Sequence, residues 1–198
     1  EDLCRDLRRM FRSTVGTAPA KFSRPFKLRV DKVAWCKLGK PTQKGRPMAP
    51  EKQAEVWRQV CELLSHDCIE RSQEPLVSYP VLAKKPNGKW RFCIDFRGLN
   101  NCSEVLGWPI PRIKDVLTRL GATRARYFGV IDLTSGYHQA EIDTESRPYT
   151  AFITHTGTYQ WKRLPFGLKG APSYFQQQIA EVLDGLLYKK CEVYLDDI

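Results

Sequence analysis

Three features of the chain predict an α+β domain. First, residues 79–85 with 89–96, and 151–154 with 158–162, are β-prone runs joined by short Gly-containing turns, the pattern of antiparallel hairpins. Second, residues 51–66, 113–120 and 171–187 carry apolar side chains at helical spacing. Third, two apolar runs, 127–133 and 191–195, read as buried strands. The first delivers Asp132 near its end, and the second runs straight into Asp196-Asp197.

The helices have recognisable starts and faces. Pro50 and Glu51 suit the first turn of the 51–66 helix, and Ala54, Trp57, Val60, Cys61 and Leu64 form its expected core face. Ile113, Val116, Leu117 and Leu120 make an apolar stripe expected to face the core. In 171–187 the inward set is Tyr174, Ile179, Val182, Leu183 and Leu186. Residues 1–16 could form a short basic amphipathic helix through Leu3, Leu7, Met10 and Phe11, with no function legible in it. Residues 39–50, rich in Gly, Pro and Lys, read as an extended linker. The expected organisation is a basic N-terminal arm and linker over 1–49, then one domain over 50–198.

Composition narrows the function classes. The 198 residues are 42% hydrophobic and 11% aromatic, an ordinary globular balance. No apolar run approaches the length of a membrane span, so no membrane partner is expected. The formal charge of +10 is uneven. Residues 1–50 hold 13 Lys+Arg against 4 Asp+Glu, whereas 51–198 hold 19 against 18. A basic arm ahead of a near-neutral body suits a polyanion such as nucleic acid, and taken alone it is equally a solvated linker. Seven cysteines, Cys4, Cys36, Cys61, Cys68, Cys93, Cys102 and Cys191, form no zinc spacing, and reduced thiols in an intracellular protein are expected.

The carboxylates carry the chemistry. If the strands bearing Asp132 and Asp196-Asp197 lie side by side, three like charges converge, at roughly 4 kcal/mol per pair at 4 Å separation. Two divalent cations neutralise such a cluster and suit in-line phosphoryl transfer. An isolated Tyr-x-Asp-Asp would equally be a strand cap in solvent, and it is the neighbouring stretches that favour the metal reading. The first hairpin offers Lys84, Lys85, Lys89 and Arg91 around Trp90, either as a triphosphate cradle or as a soluble surface. Asp95 and Arg97 read as a structural pair beside it.

Taken in order, several motifs resemble the reverse transcriptase of gypsy-type long-terminal-repeat retrotransposons, a group close to the retroviral enzymes. They are Lys89-Trp90-Arg91 with Ile94-Asp95-Phe96-Arg97-Gly98-Leu99-Asn100, Ile131-Asp132-Leu133-Thr134-Ser135-Gly136-Tyr137-His138-Gln139, and Thr150-Ala151-Phe152. Leu164-Pro165-Phe166-Gly167-Leu168, Ala171-Pro172-Ser173-Tyr174-Phe175 and Tyr194-Leu195-Asp196-Asp197-Ile198 complete the series. The chain departs mildly at Ile94-Asp95-Phe96-Arg97, where the family usually has Val-Asp-Tyr-Arg, and at Gly170-Ala171-Pro172, where Asn-Ala-Pro is frequent.

The resemblance implies a right-hand polymerase fold: fingers plus a partial palm, an antiparallel sheet packed on helices, truncated before the thumb. It implies an RNA-directed DNA polymerase adding dNTPs to a primer 3′-hydroxyl. Asp132, Asp196 and Asp197 would hold two Mg2+ ions, or Mn2+ in their place. Lys84, Lys85, Arg91, Leu133, Tyr137, Phe166 and Gly167 would contact the dNTP, with Tyr137 beneath the sugar. Lys89, Trp90, Arg97 and Tyr194 would contact an RNA or DNA template with its primer. The implied setting is a Pol polyprotein with thumb, ribonuclease H and integrase downstream, in the cytoplasm within a virus-like particle, or in the nucleus. The 198 residues alone are expected to be a weak or inactive enzyme. The alternative is a decayed or domesticated element that keeps only nucleic-acid binding.

Overall fold

The computed structural model describes residues 16, 18–21, 24–38, 47–84, 86, 88–105 and 107–198. Two antiparallel sheets and five α-helices organise them. Helix α1 spans Lys32–Lys37 and α2 spans Pro50–Ser65, followed by the short strand β1, Ile69–Arg71. Strands β2 (Pro80–Lys84) and β3 (Trp90–Ile94) form the first hairpin, in register from Pro80↔Ile94 to Lys84↔Trp90. Helices α3 (Arg97–Asn101) and α4 (Ile113–Ala122) follow. Strands β4 (Phe152–Thr154) and β5 (Gly157–Trp161) form the second hairpin, and α5 covers Ala171–Val182.

The sheets share one core. β5 lies between β1 and β4, pairing Trp161 with Ile69 and Tyr159 with Phe152. Ser78, just before β2, bridges to Phe152 in parallel and ties the first hairpin to the second sheet. Phe152 meets Phe92 edge-on at 5.8 Å and lies near Tyr159 and Trp161, so both sheets bury rings against each other. Both hairpins agree with the sequence expectation, because their turns and alternation are locally encoded.

Helix existence follows the sequence, whereas helix rotation does not. In α2 the buried residues are Val56 and Val60, while Trp57 and Cys61 of the expected core face are exposed. Gln59 Nε2 donates to the Trp90 carbonyl at 3.3 Å, and this contact with β3 helps fix which face turns inward. In α4 Val116 is buried, but Ile113 and Leu117 are 56% and 63% exposed, so its stripe is largely on the surface. Arg119 of α4 instead makes a fork-on-fork pair with Glu192, at 2.7 and 2.8 Å, and lies over the Tyr188 ring. Helix α5 ends at Val182, short of Leu187, and leaves Val182 and Leu186 exposed.

The two runs read as buried strands are not regular strands. Among the described residues their pairing consists of isolated bridges, Asp132 to Asp197, Tyr194 to Asp197 and Cys191 to Leu187, and Tyr127, Phe128, Val130 and Ile131 are exposed. An apolar run becomes a strand only where a second segment lies opposite it, and among the described residues none pairs with 127–130.

Residues 24–38, expected within the arm and linker, are built into the body. Phe26 is 2% exposed and bridges to Ile142, its N–H donating to the Glu141 carbonyl at 2.8 Å. Its ring meets Tyr174 of α5 edge-on at 5.2 Å, and the Tyr174 hydroxyl donates to the Arg24 carbonyl at 2.5 Å. Asp31 caps α1 through the N–H groups of Val33 and Ala34, and Trp35 is buried near Tyr149. The expected 1–16 helix lies almost wholly outside the described residues. The described cysteines are free, and burial pushes the Cys68 thiol up to about 11. No helix among the described residues is long and apolar enough to cross a membrane.

Two outcomes follow from this packing. Phe26→Ala should destabilise the chain by about 3–5 kcal/mol in urea unfolding, the range for deleting a buried ring; a loss below about 1 kcal/mol would show the segment to be peripheral. His138 supplies the second. Its Nε2 is buried without a hydrogen-bond partner among the described residues, and its ring lies against Trp161 and Phe166. Burial, then the Arg163 charge, lowers its pKa to about 4. The unfolded chain therefore takes up the proton first, and stability present above about pH 6.5 is lost progressively down to about 4, up to about 3 kcal/mol. His138→Phe should flatten that part of the pH profile of Tm; an unchanged acid slope would refute the assignment.

Candidate active site

The polymerase-like features meet where two chain segments run antiparallel. Ile131 and Ile198 exchange both backbone hydrogen bonds, at 2.8 and 3.0 Å, and Leu133 N–H donates to the Asp196 carbonyl at 3.1 Å. Asp132 is thereby bridged to Asp197. Tyr194 and Asp197 bond each other's backbone at 3.0 and 3.1 Å, closing a two-residue turn with Leu195 and Asp196 at its corners. Leu195 sits at φ 58°, the left-handed region, which costs a branched L-residue about 1–2 kcal/mol.

That turn is held from below by α5. The buried Gln176 donates through Nε2 to the Val193 carbonyl at 3.2 Å and accepts the Leu195 N–H on Oε1 at 2.8 Å. The preceding residue, Phe175, supports the other segment. A Cβ on Gly136 would stand 2.9 Å from the Phe175 ring, so only glycine admits this approach. Ser135, at φ 46°, and the Gly136 N–H to Leu133 carbonyl bond turn the chain after Asp132, and Gln139 Nε2 fastens the Thr134 carbonyl at 2.9 Å.

Tyr137 emerges from this turn. Its ring centroid lies 5.0 Å from those of both Phe166 and Phe175, a three-ring stack. Burial raises its phenol pKa, with Asp196 and Tyr194 adding to the rise, so the ring stands within electrostatic reach of the Asp-Asp turn. Phe166 is 45% exposed and Gly167 has φ 96° in the Leu164–Leu168 loop. Asn100 braces this loop from α3: its Nδ2 donates to the Gly167 carbonyl at 2.8 Å, and its Oδ1 accepts the Lys169 N–H at 2.9 Å.

The structure does not gather all the expected residues. The backbone delivers Asp132, Asp196 and Asp197 to one place, but among the described residues no three His, Cys, Asp or Glu side chains are grouped to grip a metal ion. On the first hairpin, Lys84 lies over the Trp90 ring at 5.4 Å, with Lys52 of α2 at 5.7 Å. Strand register puts Arg91 beside Ala83, on the face opposite Lys84 and Trp90. Lys85 lies outside the described residues, and Lys89 is exposed. Arg97 forks onto Asp95 at 2.8 and 2.7 Å, the expected structural pair. Gln176 and Asn100 were missed by sequence reasoning. The sequence shows three successive glutamines in an amphipathic helix without marking which are buried, and the structure buries Gln176 and Gln178.

Comparison with known proteins agrees with this geometry. The family model described as reverse transcriptase (RNA-dependent DNA polymerase) matches residues 83–198. The retrovirus-related Pol polyprotein from transposon 297 of Drosophila melanogaster is 43% identical over 157 residues, 77% of this chain and 15% of that polyprotein. The corresponding polyprotein from transposon gypsy is 37% identical over 149 residues, 72% of this chain and 14% of its own length. The enzymatic polyprotein of Cauliflower mosaic virus (strain Strasbourg) is 35% identical over 170 residues, 82% of this chain and 25% of its own length. Among solved structures, the foamy viral protease-reverse transcriptase in complex with dsDNA superposes with TM-score 0.76 at 22% identity, over 99% of this chain and 40% of that one. This likeness shows a partial polymerase fold. The chain spans only a small part of the transposon polyproteins it matches, about 15% of the first. With the family model covering more than half of its residues and the transposon relatives aligned across most of it, the chain belongs to the reverse transcriptase (RNA-dependent DNA polymerase) family, among the LTR-retrotransposon members.

Proposed function

We propose that these residues are the fingers and front palm of an RNA-directed DNA polymerase, extending a primer 3′-hydroxyl with dNTPs on an RNA or DNA template. The observation that carries this reading is the Asp132–Asp197 bridge with Asp196 at the adjoining corner and Tyr137 beside it. The donor set suits magnesium, or manganese in its place: three hard carboxylate oxygens with no thiol or imidazole among them. Asp132, Asp196 and Asp197 would hold the pair of ions, which when bound lower the barrier for attack on the α-phosphorus by neutralising the oxygens that gain charge.

The chain's own residues do the rest. Tyr137, wedged between Phe166 and Phe175, presents a rigid ring where the sugar would lie. Leu133, Phe166 and Gly167 wall the nucleotide pocket, and Asn100 keeps the Gly167 loop in place. Arg91 and a lysine of the Lys84/Lys85 pair are the cations assigned to the triphosphate. Trp90, with Lys84 over its ring, is assigned together with Lys89 to the template. Arg97 contributes through Asp95, and Tyr194 lies on the primer side. In this reading the protein is a Pol polyprotein with thumb, ribonuclease H and integrase, acting in a cytoplasmic virus-like particle and in the nucleus. A decayed fragment kept for nucleic-acid binding is disfavoured, because all three aspartates and Tyr137 are intact.

In the intact reverse transcriptase chain, Asp196→Asn should abolish primer extension while template–primer affinity stays within about threefold. Extension at the wild-type rate would dismiss the metal site. Tyr137→Val should shrink the rNTP penalty in kcat/KM by at least about tenfold, roughly 1.4 kcal/mol. If dNTP and rNTP use fall together at a constant ratio, the ring is packing and sugar choice lies elsewhere.

A further inference from the structure

Helix α5 buries an amide in the middle of its apolar face. Gln176 is 4% exposed, and both halves of its amide are used on the segment entering and forming the Asp-Asp turn: Nε2 on the Val193 carbonyl, Oε1 on the Leu195 N–H. The two partners flank Tyr194, so a single side chain spans the approach and the first corner. Both bonds go to backbone groups and therefore act on the path of the chain rather than on any one side chain.

The turn has reason to need such a hold. Its own closure is the Tyr194–Asp197 backbone pair, and its first corner is a leucine in the left-handed region, where L side chains are crowded. A Leu195 released to negative φ would swing the peptide between it and Asp196, re-aiming both following carboxylates away from Asp132. The carboxylates also repel one another, which pushes in the same direction.

We propose that Gln176 is a positioning residue for the metal-binding turn: it fixes the Leu195 backbone and through it the aim of Asp196 and Asp197. This rests on the polymerase reading above and deepens it. The neighbouring Phe175 supports Gly136 and Tyr137, so consecutive residues of one helix set the metal turn and the sugar-contacting ring.

The test is primer extension by the intact reverse transcriptase chain carrying Gln176→Met, which removes both hydrogen bonds at nearly constant volume. Circular dichroism and template–primer affinity serve as folding controls. Expected are a fall in kcat of at least about tenfold and a rise of at least about threefold in the Mg2+ concentration giving half-maximal rate. The dNTP KM should change by less than about twofold. The decisive readout is coupling: in a Leu195→Gly background, where positive φ carries no steric penalty, the loss caused by Gln176→Met should be at least about threefold smaller. Should Gln176→Met not fold, Gln176→Glu, which keeps the acceptor facing Leu195 N–H, is measured instead and should show an intermediate loss. Reduced Tm with unchanged kcat and Mg2+ requirement would overturn the proposal, as would losses at 176 and 195 that simply multiply. If Asp196→Asn also extends primers normally, the polymerase reading itself falls, and the clamp with it.

Discussion

The antiparallel backbone pairing of Ile131 and Leu133 with Ile198 and Asp196 is the interaction on which the rest of the site depends. Asp132, Asp196 and Asp197 would drift apart if side-chain preferences alone placed them. The fold answers with backbone: the bonds of Ile131 and Leu133 to Ile198 and Asp196 hold the two main chains together regardless of what the carboxylates favour. The side chains then keep a freedom that a cation can exploit, because backbone pairing already brings Asp132 beside the Asp196-Asp197 turn.

Such a scheme needs a stiff support, and α5 supplies it. The helix enters through Ala171 and Pro172, buries Tyr174, Phe175, Gln176 and Ile179, and so meets three separate parts of the molecule. Tyr174 takes the N-terminal segment through Phe26 and the Arg24 carbonyl. Phe175 takes the turn after Asp132, and Gln176 the turn holding Asp196. A buried polar group with both its donor and its acceptor satisfied favours one rotation of the helix over its neighbours, whereas purely apolar contacts tolerate sliding. Asn100 plays the corresponding part for the Gly167 loop.

What the sequence made legible follows the range of the forces involved. Both hairpins were legible because alternation and turn residues act over a few positions, and α2 because Pro50 and helical spacing announce it. The face α2 buries was not, since periodicity sets spacing, and rotation follows from distant contacts such as Gln59 with Trp90. The runs at 127–133 and 191–195 were read as strands from apolar content, yet a ladder depends on what lies opposite, which the run itself does not encode. In the site, Asp132, Tyr137 and the Asp-Asp pair were visible as ordered motifs. Gln176 and Asn100 were not, because a glutamine in a helix or an asparagine in a loop carries no signature until its backbone partner is known.

The buried position of Phe26 shows that the folded unit is longer than the stretch the family model spans. The stretch that matches the family model begins at residue 83, yet Phe26, Trp35, Val56, Val60 and Ile69, all upstream of it, belong to the same core. A piece cut at residue 83 would strip Tyr174 of Phe26, Ile94 of Pro80 and Trp161 of Ile69, and would lose β1, the neighbour of β5. The alignment with the transposon 297 polyprotein, 77% of this chain, likewise reaches upstream of residue 83. Among the described residues the core already includes Phe26 and Trp35, so a trimmed piece that keeps this core must keep both.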